Sequence, residues 1–189
     1  NLYNFWKYEF NKAGDYQKVS MIMPITNKIG RFQFSPTAKG ILEQEKSKID
    51  FEDIMDSGKI LICNVSKGRL GEDISEMFGI LLLTKIQLAA LRRAKKKVTD
   101  RKDFYLYVDE FQNFATPAFA QILSEARKYR LNAILAHQTV SQIEDKSLVN
   151  VTLANAGTVI CFRTANPLDE ELMLPQFSPY IDPGEISNL

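Results

Sequence analysis

Two adjacent carboxylates, Asp109 and Glu110, are the residues of this chain whose types and spacing most directly suggest chemistry. They follow Phe104–Val108, five apolar residues typical of a buried strand. Side chains alternate in direction along a strand, so the two acids can do different work at its tip. One carboxylate can hold Mg²⁺, and the other can orient or deprotonate a water for attack on a phosphoryl group. The plainer alternative is that both acids cap the next helix or face solvent.

An amide and two guanidinium groups are candidates to complete such a site. Gln138 follows a later apolar run, and an amide can sense a terminal phosphate or place an attacking water. Arg127 lies on the preceding helix and Arg163 follows the last apolar run, and guanidinium suits phosphate charge. The structural alternatives are a loop hydrogen bond for Gln138, a solvated helix end for Arg127 and a salt bridge for Arg163. We predict that the two acids, Gln138 and Arg163 share one edge of a sheet.

A dense basic run ends the longest predicted helix. Cations are favoured at a helix C-terminus, so a solvated helix end is the simplest interpretation. The alternative is contact with DNA phosphates, without base stacking because no aromatic residue interleaves the run. The candidate DNA-contacting residues are Arg92, Arg93, Lys95, Lys96 and Lys97.

No segment of the chain has the phosphate-binding pattern G-x-x-x-x-G-K-[ST]. The segment Lys67–Asp73 has two glycines after an apolar run, but it is better interpreted as a tight strand-to-helix turn. One histidine and two cysteines leave little for a Cys/His zinc site. Phosphate recognition by a glycine-rich loop is therefore not expected within these residues.

The elements that would position the candidate residues alternate between strand and helix. Four short apolar runs predict strands at Lys59–Val65, Phe104–Val108, Asn132–Ala136 and Thr158–Phe162. The predicted helices are Ile74–Ala94, one opening at Thr116-Pro117, one or two within 139–155, and one opening at Asn166-Pro167. Apolar strands joined by helical crossovers predict an α/β fold, a mostly parallel sheet with helices on both faces. Its strand ends would present the candidate residues along one edge.

Residues 1–57 predict a helical segment that precedes an α/β part at 58–189.

The composition limits the classes of protein to which the chain can belong. The chain has 24 Lys and Arg against 23 Asp and Glu, which excludes a polybasic, histone-like binder and an acidic disordered tail. Two cysteines give no support for secretion. No continuously apolar stretch approaches the roughly 18 residues that span a bilayer, so no spanning helix is expected. Because the chain lacks an initiator Met, we expect it to be a fragment.

Several separated motifs resemble one family. The stretches FYLYVDEFQNF (Phe104–Phe114) and SEARKYRLNAILAHQTVSQI (Ser124–Ile143) resemble the conjugative coupling-protein ATPases of type IV secretion, the TraD/TraG-like group. The stretch ILICNVSKGRLGED (Ile60–Asp73) and the tail from Asn155 through Arg163 to Leu189 are similar too. This group belongs with the FtsK/HerA-like DNA pumps. The resemblance covers roughly residues 20–189.

The resemblance implies a RecA-like P-loop NTPase core, usually hexameric, that uses ATP and Mg²⁺ to move DNA or a relaxase–DNA complex. It implies other secretion-system components as partners and a place at the cytoplasmic face of the inner membrane. Asp109 would contact Mg²⁺ through water, Glu110 would be the catalytic base, and Gln138 would sense the γ-phosphate. Arg127 would act in trans on a neighbouring subunit's nucleotide, and Arg163 would contact nucleotide or an interface.

The chain departs from the family in one large respect. The phosphate-binding strand–loop–helix and a membrane anchor are absent, so the chain resembles only the C-terminal part of the motor and is expected to be inactive alone. Two alternatives stay open. One is a non-catalytic docking or substrate-recognition module with a motor-like fold, and the other is a HerA-like pump for genome segregation or end resection.

Overall fold

The computed structural model describes residues 2–143 and 145–189, without the side chains at positions 28, 31–34, 117–118 and 121–122. The side chain of Ile122, expected on the apolar face of the helix that opens at Thr116-Pro117, lies outside the described side chains. The helices are α1 (Leu2–Asn4), α2 (Asp15–Phe34), α3 (Pro36–Leu42), α4 (Phe51–Ser57), α5 (Lys67–Leu70), α6 (Glu72–Arg92), α7 (Pro117–Glu125), α8 (Lys146–Asn155), α9 (Pro167–Phe177) and α10 (Glu185–Asn188). The strands are β1 (Phe104–Val108) and β2 (Leu131–Leu135).

Short helical turns connect several of these elements. They are a π-helix at Phe5–Phe10 and 3₁₀ turns at Arg93–Lys95, Val98–Asp100, Phe111–Phe114, Ala126–Tyr129 and Val140–Gln142. Capping bonds confirm the two predicted helix starts at Thr116 and Asn166, and a third capping bond begins α3. The Ser35 hydroxyl accepts from the Ala38 N–H, the Thr116 hydroxyl from Phe119 and the Asn166 amide oxygen from Leu168.

The chain forms two compact units. The first comprises the residues up to Lys48 together with Val65–Ser75, and the second comprises Ile49–Asn64 and Glu76–Leu189. In the first unit the rings of Phe5, Trp6 and Phe10 stack edge to face or tilted, with centroids 4.9 to 6.2 Å apart. All the candidate site residues lie in the second unit.

The long helix α6 supplies much of the second unit's core. Its buried residues recur at helical spacing: Phe78, Leu83, Ile86, Ala89 and Ala90. In the described part of the chain, Glu72–Lys95 is the one helix long and apolar enough to cross a membrane, by length and composition alone. A core helix meets the same criteria, so the sequence expectation that no helix spans a membrane stays a prediction. Because polar residues interrupt α6, no continuous apolar run revealed it.

The two strands pair in parallel, with Phe104 opposite Leu131 and Val108 opposite Leu135. The first predicted strand of this pair is confirmed at its bounds, and the second begins one residue earlier than expected. Leu106 and Val108 point into the core, whereas Tyr105 and Tyr107 are exposed. A parallel pair requires a crossover, and α7 lies in the connection between the strands.

Two of the four predicted strands are not formed. Within the described residues, neither 59–65 nor 158–162 pairs with another strand. Ile60 and Ile62 are 90% and 88% exposed, and Ile160 and Phe162 are 74% and 82% exposed. An apolar run predicts a buried strand only where other elements cover it, and the described residues leave these four side chains exposed. The predicted larger parallel sheet and RecA-like core remain predictions.

A buried arginine joins four segments of the second unit. The side chain of Arg93 is 1% exposed, and its Nη1 donates to the carbonyl oxygens of Lys102 at 2.9 Å and Tyr129 at 3.1 Å. Its Nε lies 3.2 Å from Asp56 Oδ1 of α4, an ion pair without hydrogen-bond alignment. The segments before β1 and β2 are thereby tied to the end of α6 and to α4.

Replacing Arg93 by methionine should destabilise the second unit strongly. The change keeps the side-chain length but leaves two backbone carbonyls without their donor and the partly buried Asp56 carboxylate with only Lys96 as its cation, so we expect a loss of about 3 kcal/mol. The matched control is Arg92→Met, which removes only an exposed ion pair to Glu52 and should cost less than about 1 kcal/mol. Urea unfolding followed by circular dichroism measures both values. Equal losses for the two variants would contradict the role of Arg93.

Gly79 of α6 should not tolerate a side chain. A Cβ at this position would run into the buried ring of Phe114, so Gly79→Ala should lower the free energy of unfolding by about 2 kcal/mol. Helix propensity alone predicts the opposite sign, a gain of about 1 kcal/mol. Gly157→Ala, where a Cβ meets open space, is the control and should change stability by less than about 0.5 kcal/mol. A thermal melt that shows Gly79→Ala to be as stable as the wild type would contradict this packing.

Candidate functional site

Backbone hydrogen bonds hold the C-terminal tips of β1 and β2 together beyond the strands. The Ala136 N–H donates to the carbonyl oxygen of Val108, and the Phe111 N–H donates to the carbonyl oxygen of Ala136, both at 3.0 Å. These bonds carry the parallel pairing past Leu135. The residues that follow each strand, Asp109-Glu110 and His137-Gln138, are thereby brought to the same edge.

Glu110 adopts a left-handed backbone conformation at the tip of β1, with φ 49° and ψ 46°. A non-glycine residue in this region carries a cost of order 1 to 3 kcal/mol. The turn that follows is anchored by Phe111 and Phe114, which are 1% and 7% exposed. The Phe111 ring also packs against Phe119 of α7, with centroids 4.9 Å apart. This burial holds the Glu110 backbone in its unfavourable conformation.

Both carboxylate oxygens of Glu110 accept a hydrogen bond from a glutamine. Gln138 Nε2 donates to Oε1 at 2.7 Å, and Gln112 Nε2 donates to Oε2 at 2.5 Å. Gln138 comes from the tip of β2 and is exposed, whereas Gln112 comes from the turn after β1 and is half-buried. Hydrogen bonds to an ionised carboxylate are among the stronger ones in proteins. Glu110 and Gln138 therefore lie at one edge, as the sequence predicts, and they are joined there by a hydrogen bond.

Asp109 is exposed, and its Oδ1 accepts from the Glu110 N–H at 3.0 Å. This bond joins adjacent residues and is not the helix cap that the plainer interpretation expected, because the Phe111–Phe114 turn has no side-chain capping bond. It still leaves carboxylate lone pairs for other partners. A carboxylate oxygen is the kind of ligand that Mg²⁺ takes, so the donor chemistry fits the predicted metal contact. No cluster of three or more metal-binding side chains occurs among the described residues. A metal here would need further ligands from phosphate and water.

The segment that follows Gln138 is anchored by the start of α9. Asn166 Nδ2 donates to Ser141 Oγ at 3.1 Å and to Thr139 Oγ1 at 3.4 Å. The carboxylate of Asp169, only 4% exposed, accepts from the Ser141 N–H at 3.2 Å. These bonds fix the chain directly after Gln138. Sequence reasoning had assigned Asn166 only a capping role and had not selected Asp169.

Arg127 lies at the opposite end of β2 from Gln138. It is exposed on the 3₁₀ turn Ala126–Tyr129, which comes before the strand, whereas Gln138 comes after it. The five strand residues between them rise by roughly 16 Å. The structure therefore does not bring Arg127 and Glu110 together within one chain.

Arg163 contacts the C-terminal helix rather than the strand tips. Its Nε donates to the carbonyl oxygen of Ser187 at 3.1 Å. Glu170 of α9 holds the same helix, because its carboxylate accepts from the Gly184 N–H and the Ser187 hydroxyl. Ile186 of α10 is 1% exposed between these contacts. Of the four residues predicted to share one rim, Asp109, Glu110 and Gln138 lie at the joined strand tips, whereas Arg163 contacts the C-terminal helix.

Most of the basic run is engaged inside the second unit. Arg92 Nη1 pairs with Glu52 Oε1 at 2.8 Å, Lys96 pairs with Asp56, and Arg93 is buried. Lys95 and Lys97 are exposed. The structure therefore does not place Arg93 where a DNA phosphate could reach it, and a contact through Arg92 or Lys96 would have to break an existing ion pair.

The two cysteines do not have the properties of reactive thiols. Burial raises the pKa of the Cys63 thiol. Burial, and secondarily the charge of Asp169, raises the pKa of the Cys161 thiol. A raised pKa leaves less thiolate at neutral pH, and the thiolate is the nucleophile. Neither residue extends the candidate site.

Gln112 is the contact to Glu110 that sequence reasoning missed. Its spacing of two residues from Glu110 gives no contact in a regular helix or strand. The contact exists because Glu110 is left-handed and the next residues form a tight 3₁₀ turn. A glutamine two residues after the acid pair at a strand tip was the available signal.

Comparison with known proteins gives one result. Residues 103–172 match the family model described as the TraM recognition site of TraD and TraG. No curated protein and no solved structure matches the chain. The matched segment begins just before β1 and ends within α9, so it contains the Glu110–Gln138 pair. The match supports assigning this part of the chain to the C-terminal region of a conjugative coupling protein.

Proposed function

We propose that this chain is part of an ATP-driven, DNA-translocating coupling protein of conjugative transfer. The observation that carries the proposal is the hydrogen bond between Glu110 and Gln138 at the joined tips of two parallel strands. The proposed cargo is DNA or a relaxase–DNA complex, and the proposed location is the cytoplasmic face of the inner membrane. The match to TraD and TraG supports the conjugative assignment.

Glu110 has the geometry for a group that orients an attacking water. A carboxylate oxygen offers two lone pairs, so each oxygen of Glu110 keeps one acceptor position after binding its glutamine. Such a position can take the proton of a water directed at a terminal phosphate. Gln138 contacts this carboxylate from the neighbouring strand. Movement of Gln138 toward a phosphate would therefore break its hydrogen bond to the Glu110 carboxylate.

Asp109 is the residue that would hold Mg²⁺, which supplies charge stabilisation to the phosphates when bound. Because the sequence has no G-x-x-x-x-G-K-[ST] segment, we propose that another part of the full-length protein supplies the phosphate cradle. This chain would then contribute the acids and the amide. The same division explains why the chain alone is expected to be inactive.

The position of Arg127 suits a role between subunits. It is exposed and separated from Glu110 by the length of β2, so it would serve the nucleotide of a neighbouring copy. A ring of copies, a hexamer in this proposal, would place each Arg127 against the next site. The surface around Arg127 would then be an interface.

The direct test is Mg²⁺-dependent ATP hydrolysis by the full-length protein carrying Glu110→Gln. The substitution keeps the size of the side chain but removes the proton acceptor and turns one of its two acceptor oxygens into a donor, so kcat should fall by about 100-fold or more while ATP binding is retained. Phosphate release measures kcat, and a fluorescent ATP analogue measures binding.

The control for this experiment is Glu171→Gln, the same chemical change at an exposed position of α9. It should leave kcat and ATP binding unchanged. Turnover by Glu110→Gln at the wild-type rate would contradict the role given to Glu110. An inactive wild-type protein would contradict the motor itself.

A second candidate function is partner recognition without catalysis. The matched family model is described as the TraM recognition site of TraD and TraG, and this description favours a surface that binds a TraM-like partner. The same variant separates the two functions in a mating assay. Glu110→Gln should abolish DNA transfer if the chain belongs to a motor, and it should leave the transfer frequency unchanged if the chain only recognises a partner.

A further inference from the structure

We infer that Gln112 is a positioning residue for Glu110. The inference rests on the proposed function, because it concerns how the Glu110 carboxylate is set for turnover. Neither the family resemblance nor the family match assigns Gln112 a role. Its Nε2 donates to Glu110 Oε2 at 2.5 Å, on the oxygen that Gln138 leaves free.

The backbone around Gln112 is fixed on both sides. Phe111 and Phe114 are buried, and the Phe111 N–H is bonded to Ala136 at the tip of β2. The Asn113 N–H donates to the carbonyl oxygen of Glu110 at 3.0 Å, which closes the turn. Gln112 is therefore presented to Glu110 from a rigid turn, whereas Gln138 approaches it with an exposed side chain.

The orientation of the Gln112 amide is set by charge. Its Oε1 is buried and has no hydrogen-bond partner among the described residues. Rotating the amide by 180° would place this oxygen against the Glu110 carboxylate, where two acceptors repel. The amide NH₂ group of Gln112 consequently faces Glu110, and its carbonyl oxygen is left buried without a hydrogen bond among the described residues. The hydrogen bond from Gln112 Nε2 to Glu110 Oε2 explains why the cost of the buried, unpaired carbonyl oxygen is tolerated.

The two glutamines act on Glu110 differently. Gln112 holds Oε2 from the same strand tip, so this bond persists if Gln138 moves toward a phosphate. Without Gln112, the carboxylate would be restrained only by Gln138 and would turn freely when Gln138 leaves. Loss of the Gln112 N–H should therefore disturb the orientation of the base during turnover and spare nucleotide binding.

The kinetic test uses Gln112→Met and Gln112→Glu in the full-length protein. Methionine keeps the length without an N–H donor, and we expect kcat to fall by about 10- to 100-fold with KM unchanged. Glutamate keeps the shape but sets two carboxylates against each other, and the loss should be at least as large. Gln176→Met, the same change at an exposed position of α9, should retain the wild-type kcat.

A spectroscopic test on the 189-residue chain does not depend on ATP hydrolysis. In ¹⁵N-labelled protein, Glu110→Gln should shift the side-chain amide resonances of Gln112 and leave those of Gln176 in place. An inactive wild-type protein overturns the proposed function and the turnover role together. If the wild-type protein is active, a wild-type kcat for Gln112→Met overturns this inference alone. Side-chain amide resonances of Gln112 that do not shift in Glu110→Gln overturn it as well.

Discussion

The parallel pairing of β1 with β2 is the constraint on which the candidate site depends. Parallel strands end at the same edge, so residues 28 positions apart in sequence, Glu110 and Gln138, come within hydrogen-bond distance. The pairing continues past the strands through the bonds that link Val108, Ala136 and Phe111. An antiparallel pair would send the two tips to opposite edges. The chemistry suggested by these side chains is therefore a consequence of strand direction.

Strain at the tip of β1 is balanced by burial of its neighbours. Glu110 occupies a left-handed conformation that costs roughly 1 to 3 kcal/mol for a residue with a Cβ. Burying one large apolar side chain contributes about 1.5 to 3 kcal/mol, and both Phe111 and Phe114 are buried in the turn that follows. Such a turn can hold Glu110 in place, and the same geometry brings Gln112 to its carboxylate. Backbone strain of this kind is common at functional sites, where a side chain must be held in one orientation.

Local patterns in the sequence were sufficient for the elements that carry their own signals. The apolar run before Asp109 and the capping residues Thr116 and Asn166 define β1 and two helix starts, and these are confirmed. The pairing of Glu110 with Gln138 followed from placing both at strand ends. The apolar runs at 59–65 and 158–162 failed as strands because a strand also needs partners, which a local pattern does not supply.

Side chains whose partners are distant in sequence could not be predicted in the same way. Arg93 was expected at a solvated helix end or on DNA, and it is buried against backbone carbonyls. Arg163 was expected to contact phosphate or form a salt bridge, and it bonds to the last helix. Gln112 depends on a backbone conformation of Glu110 that nothing in its neighbours' types requires. In each case the residue type was compatible with several environments, and only the three-dimensional contacts select one.

The most direct measurement of the central claim is the proximity of Glu110 and Gln138 in solution. Proton nuclear Overhauser spectra of the labelled chain report distances of a few ångströms between the Gln138 side-chain amide and the Glu110 methylene protons. Parallel strand tips joined as described predict a strong cross-peak between these groups. If the Gln138 amide instead contacts residues at the start of β1, the arrangement of the site is contradicted.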